Sequence, residues 1–300
     1  MKKLFYYTIL IIFAISCGTN PHKSSEKVYN DQINTLKQTI ATKEATPLKS
    51  EPYVVIDSVA YRYNKQLINY KDTLSKTDDT MLQNGIVSEW VGTVNFNLRK
   101  PNFIILHHTA QDSLQQTLKT FTLKSTNVSA HYVISREGKV VHMLNDYLRA
   151  WHAGNGSWGK DTDLNSSSIG IELDNNGSEP FSDKQIISLL ALLTKLKKDY
   201  NIPTQNIIGH ADIAPSRKKD PSALFPWKLL AINGFGVWPD EPLPCPPPDF
   251  NVEQGLQIIG YNTKNLSSAI MAFKLHFIQT EVNDILDEKT ISTIYSVSKK

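Results

Sequence analysis

The sequence predicts an α/β protein: a mixed central β-sheet flanked by helices, followed by a small C-terminal three-helix domain. Three observations lead there. Short apolar runs alternate with amphipathic helical patterns between residues 103 and 210. A proline-rich break, Pro239 through Pro248, closes that stretch. Three short helical patterns with start or stop signals follow it.

The elements take this order. Phe103-Ile104-Ile105-Leu106 is a continuous apolar run, as in a central strand buried on both faces. Asp112 to Leu123 has helical spacing, with Leu114, Leu118 and Phe121 on one side. His131 to Ile134 and Val140 to Met143 flank Glu137-Gly138 and read as a hairpin. Ser168 to Leu173 is another strand. Ser182 and Gln185 have the spacing of a capping box and open a long helix. Its apolar stripe is Ile186, Leu189, Leu190, Leu193, Leu196 and Tyr200. Ile207-Ile208-Gly209-His210 is expected to be a last strand running into a loop. After the prolines, which form a stiff linker, Val252 to Ile259 ends at Gly260, a natural helix stop. Asn265 can cap Leu266 to Phe277, and Asp287 can cap Glu288 to Val297.

The N-terminus is an export signal. Met1-Lys2-Lys3 precedes an almost wholly apolar stretch, Leu4 to Ile15, which is short for a bilayer span of about 20 residues. Ala14-Ile15-Ser16-Cys17 resembles a lipobox, at which a bacterial lipoprotein is cleaved and its new terminal Cys17 acylated. Acyl chains would anchor the chain, each buried methylene contributing about 0.8 kcal/mol. Residues 18 to 51 are polar and poor in aromatics, as in a flexible or weakly helical tether. Gly18 follows Cys17 with no retention-type Asp, which favours the outer membrane. Tyr53 to Ile56 reads as a strand and Tyr61 to Tyr70 as a short amphipathic element.

Composition excludes several classes. The net charge is +3, and cleavage would remove Lys2 and Lys3. Without a dense Lys/Arg run, nucleic acid is not an expected partner. Two cysteines, Cys17 and Cys245, rule out a disulfide framework and a four-cysteine zinc site. Any metal must rest on His and carboxylates.

Such residues cluster in three stretches: Leu106-His107-His108-Thr109, Gly209-His210-Ala211-Asp212 and Lys218-Lys219-Asp220-Pro221. His107 and His210 each follow a strand, where geometry is rigid. Two imidazoles and one carboxylate would leave a fourth position open on Zn²⁺, the arrangement of a catalytic zinc. From spacing alone, hydrogen-bonded structural residues are the commoner reading.

The surrounding segments add to this. Leu106-His107-His108-Thr109, Ser129-Ala130-His131-Tyr132, Ala150-Trp151-His152-Ala153-Gly154, Ser168-Ile169-Gly170-Ile171-Glu172-Leu173 and the run Gly209 to Pro221 occur in that order. Together they resemble the zinc-dependent N-acetylmuramoyl-L-alanine amidases of type 2, a family related to peptidoglycan recognition proteins. The resemblance implies Zn²⁺ on His107, His210 and Asp220, with Glu172 as general base and Lys218 as oxyanion stabiliser. Successive strand residues face opposite sides, so His107 and His108 cannot both reach one metal, and the resemblance favours His107. Asp174 is a rival base. Trp151 and His152 are expected to line the substrate groove, His131 and His142 to be structural, and Asp212 to support the site. The substrate implied is peptidoglycan or a muropeptide, cut between muramic acid and L-alanine. The alternative is a non-catalytic muropeptide binder, but such relatives typically lose a zinc ligand. The C-terminal helices resemble a three-helix peptidoglycan-binding domain. The expected division is a signal peptide at 1–16, a tether at 17–51 and an extension at 52–94. An amidase domain at 95–240, a linker at 241–250 and the three-helix domain at 251–300 complete it. The protein is expected to be an exported, lipid-anchored monomer facing the periplasm.

Overall fold

The computed structural model describes residues 23–44, 80–91, 93, 95, 97–98 and 101–300. The leader, Cys17, the strand expected at Tyr53 to Ile56 and the element at Tyr61 to Tyr70 lie outside the described residues. No helix among the described residues is long and apolar enough to cross a membrane.

A seven-stranded mixed sheet forms the centre. Its strands are β1 (Thr80–Met81), β2 (Val87–Trp90), β4 (Phe103–His108), β5 (Tyr132–Ile134), β6 (Val140–His142), β8 (Ser168–Leu173) and β9 (Ile207–Gly209). They lie in the order β1-β2-β6-β5-β8-β4-β9. β4 runs parallel to β8 and β9, whereas β5 and β6 form the expected antiparallel hairpin. β3 (Asn97–Leu98) and β7 (Leu148–Arg149) pair separately. β1 and β2 belong to this sheet, so the fold begins before the boundary expected at residue 95.

Strand alternation gives the sheet two working faces. Ile104 and Leu106 of β4, with Ile169, Ile171 and Leu173 of β8, pack under the long helix Asp183–Tyr200 in the main core. Leu189, Leu192, Leu193 and Leu196 of that helix are fully buried there. Phe103 and Ile105 face the other way and pack with Leu164, Ile208 and Ile213. His107 follows in the same alternation, as does Glu172 beyond Ser168 and Gly170. The Ser182 cap is present, its side chain accepting from the Gln185 N–H. Gln185 does not complete the box. Its amide donates to the carbonyls of Ile134 and Asp174, tying the helix to the sheet instead.

Two expectations need correction. The stretch read as a flexible tether contains a helix, α1 (Lys23–Glu44). Its Tyr29 and Ile33 are buried against Leu144, Leu148 and Ala150, with Leu36 partly buried beside them. The i, i+4, i+7 spacing of these three residues was hidden in a polar composition. His210 opens a one-turn helix, His210–Ile213, rather than a loop. The Asp212 carboxylate accepts the Gly209 N–H and so caps the turn.

The C-terminal helices Val252–Ile259, Leu266–Phe277 and Glu288–Val297 carry the three expected caps. They form their own core around Leu256, Phe273 and Ile294. They also join the sheet domain through Asp212. Its buried carboxylate accepts from Tyr261 Oη at 2.5 Å and pairs with His276 Nδ1 at 2.7 Å. The His276 ring stacks on Trp227, centroids 3.8 Å apart.

Candidate metal centre

The parallel register sets His107 of β4 beside Glu172 of β8. His210 stands at the end of the neighbouring strand β9. The loop carrying Asp220 is drawn onto the same spot by the bond from Ala211 N–H to the Asp220 carbonyl, 2.8 Å. Residues far apart in sequence therefore meet because adjacent strands end at one level.

Three electron-rich atoms converge. His107 Nδ1 is 2.9 Å from His210 Nδ1, and each lies 3.0 Å from Asp220 Oδ2. Both imidazoles are buried and Asp220 is partly buried. The Nε2–H of His210 is committed to the Ala153 carbonyl at 3.0 Å. A carbonyl only accepts, so a neutral His210 turns its Nδ1 lone pair toward the other two groups. Burial first, and next the repulsion that a proton on His210 would exert, push His107 down to about 4, which leaves its ring neutral near pH 7. Two imidazole nitrogens and one carboxylate oxygen, packed this closely, fit a divalent cation of borderline softness such as Zn²⁺.

Glu172 flanks the trio, with Oε1 4.0 Å from His107 Nδ1. Burial, and then the charge of Asp220, raises its carboxyl to about 8, against the pull of Lys218. Lys218 lines the same cleft of about 260 Å³, as do Thr109, Gln111, Phe121 and Trp151. The structure thus brings together His107, His210, Asp220, Glu172, Lys218 and Trp151. Asp174 is turned away from the trio and held by Arg136 at 2.6 Å.

The remaining histidines separate by their partners. His108 forms part of the cleft wall, its Nδ1 accepting from the Ser222 N–H at 3.1 Å. His131 accepts from Gly170 N–H and meets the Leu148 carbonyl, so both nitrogens serve the fold. His142 stacks on Tyr132. His152 lines the same cleft as Trp151, on its inner side against His107. Its ring is buried, and its two nitrogens face His107 and Ser168. Ser168 and Gly170 were not singled out in the sequence. The signal was the two-residue alternation that places them on the face of β8 that carries Glu172.

Comparison with known proteins agrees with this geometry. Residues 97–223 match a family model described as N-acetylmuramoyl-L-alanine amidase (Amidase_2). The chain is 35% identical over 219 residues to N-acetylmuramoyl-L-alanine amidase AmiD of Escherichia coli, covering 62% of this chain and 78% of that protein. It is 41% identical over 102 residues to 1,6-anhydro-N-acetylmuramyl-L-alanine amidase AmpD of Haemophilus influenzae, covering 34% of this chain and 55% of the other. Among solved structures, it resembles E. coli AmiD in complex with anhydro-N-acetylmuramic acid-L-Ala-D-γ-Glu-L-Lys. That likeness has a TM-score of 0.60 at 32% identity, over 66% of this chain and 89% of the other. Pseudomonas aeruginosa AmpDh3 gives 0.61 at 27% identity, over 67% and 92%. By sequence and by fold, this chain belongs to the type 2 N-acetylmuramoyl-L-alanine amidase family.

Proposed function

We propose that the chain hydrolyses the amide bond between the lactyl group of N-acetylmuramic acid and L-alanine in peptidoglycan or muropeptides. The observation that carries this reading is the convergence of His107, His210 and Asp220 with Glu172 and Lys218 in one cleft. A binder that has lost catalysis has no need to keep all five.

His107, His210 and Asp220 would hold the metal. Zn²⁺, when bound, supplies a Lewis acid that polarises the scissile carbonyl and acidifies the attacking water. Glu172 accepts a proton from that water and delivers it to the departing amine of L-alanine. Its buried position keeps this carboxyl basic enough for the first task and acidic enough for the second. Lys218 places positive charge where the carbonyl oxygen becomes an oxyanion. Trp151, half-buried on the wall, offers a flat apolar surface to the substrate.

The test is digestion of purified peptidoglycan with product masses read out. Free stem peptides beginning with L-alanine, together with intact glycan strands, are expected. Cleaved glycan strands, or no released peptides under any metal condition, would sink the proposal. Lys218→Met is expected to lower kcat by about 10²–10³-fold, in the range for one lost oxyanion partner. Steady-state kinetics on a defined muropeptide checks it.

We also propose that the protein acts as an exported monomer, anchored by lipid on Cys17, on the outer membrane facing the periplasm. The leader and the Cys17-Gly18 junction support this. The parent chain is expected to partition into detergent, and Cys17→Ala into the aqueous phase. Equal partitioning of the two would count against the anchor.

A further inference from the structure

His107 and His210 present the same ring nitrogen to the metal position, but their opposite nitrogens are held differently. His210 Nε2 meets a backbone carbonyl, which can only accept. His107 Nε2 meets another imidazole, Nδ1 of His152, at 3.0 Å. An imidazole nitrogen can donate or accept, so this contact alone does not decide where the His107 proton sits. The decision is made one bond further back. His152 Nε2 lies 3.2 Å from Ser168 Oγ. Ser168 Oγ in turn lies 2.5 Å from the Leu164 carbonyl. The single hydroxyl hydrogen of Ser168 must go to that carbonyl. The oxygen can then only accept from His152, which puts the His152 proton on Nε2. In a neutral ring the Nδ1 lone pair is left facing His107. It accepts the His107 Nε2–H and leaves His107 Nδ1 bare toward His210 and Asp220.

The strand is shaped to seat this relay. Ser168, Gly170 and Glu172 alternate along one face of β8. The His152 ring lies directly over Gly170. A Cβ at position 170 would come 2.5 Å from His152 Cγ, and within 2.7 Å of two further ring atoms. Only glycine lets the ring reach Ser168 and His107 together.

We infer that His152 is a positioning residue, which with Ser168 and Gly170 fixes His107 as the tautomer that presents Nδ1 to the metal. This role rests on the reading of His107, His210 and Asp220 as the metal ligands. It differs from substrate contact, since both ring nitrogens of His152 already face protein groups.

The experiment uses the full chain with its histidines labelled with ¹⁵N, and zinc as the probe. In the metal-free parent, the nitrogen shifts of His107 are expected to show the proton on Nε2. His152→Phe keeps a flat ring but removes the acceptor. It is expected to weaken zinc binding by about 10–100-fold, the range for loss of a partner behind a ligand, in a chelator competition. His152→Asn returns an acceptor near the Nδ1 position and is expected to recover most of that loss. Gly170→Ala, which unseats the ring, is expected to weaken zinc binding in the same direction. Ser168→Ala removes only the group that sets the relay's direction. It is expected to shift part of His107 to the Nδ1–H form and to weaken zinc less than His152→Phe.

Parent-like zinc affinity in folded His152→Phe would overturn the inference. So would a His107 proton found on Nδ1 in the metal-free parent, a measurement that stands even if the Phe variant fails to fold. Asp220→Ala separates the two layers. If it binds zinc as tightly as the parent, the ligand assignment is wrong. If it loses zinc while His152→Phe keeps it, only the relay is wrong.

Discussion

Asp220→Ala is expected to release the metal and abolish turnover. Asp220 is the only anion among the three converging groups, and its Oδ2 lies 3.0 Å from both imidazole Nδ1 atoms. Without it, two neutral rings must hold a dication in a buried site with no compensating charge. An outer partner of a ligand is worth about 10–100-fold in affinity, and a direct anionic ligand is worth more. Dialysed Asp220→Ala should therefore contain far less than one zinc per chain by elemental analysis. Its peptidoglycan hydrolysis should fall by about three orders of magnitude or more, because the Lewis acid is lost with the metal. Chelation of the parent should give the same loss, and added zinc should restore the parent but not the variant. Stoichiometric zinc in an inactive Asp220→Ala would move this residue from ligand to some other role.

Glu172→Ala is expected to do the opposite to the metal and nearly the same to the rate. The Glu172 carboxylate lies outside the trio, 4.0 Å from His107 Nδ1, so zinc content should stay near one per chain. Turnover should fall by about 10²–10⁴-fold, the usual contribution of a general base. The base works as a carboxylate, so activity of the parent rises with pH as this group ionises. Burial places that ionisation at about 8 in the metal-free protein. A bound dication adds positive charge beside it and pulls the limb to lower pH. The pH–rate profile of Glu172→Ala should lack the limb altogether. An active Glu172→Ala variant with the limb intact would reassign the base.

Much of this was legible in the sequence because strands announce themselves by apolar runs and by what ends them. Phe103 to Leu106 and Ile207 to Gly209 were recognisable as buried strands, and each runs into a histidine. The alternation of a strand allowed only one of His107 and His108 to face the metal, and the resemblance of the segment to the family motif chose His107. The pairing of His107 with Glu172 was not legible, because register between strands 65 positions apart in sequence is a tertiary property. The partners of His152 were hidden for a related reason. That histidine lines the cleft beside Trp151, but the sequence carries no sign that Gly170 leaves a seat for its ring. The helix at Lys23–Glu44 was missed because three spaced apolar residues weigh little in a segment of mostly polar composition.

Asp212 has a mechanical consequence. Two residues beyond His210, it takes hydrogen bonds from Gly209 and Tyr261 and pairs with His276. The last fifty residues and the turn that carries His210 are thereby bolted into one part. A module swinging on a linker would let the cleft reach many bonds from a single foothold. A bolted one works as a ruler. Whatever the C-terminal helices touch, they hold it at a fixed distance and angle from the cleft, and the bond presented for cutting is chosen when they land.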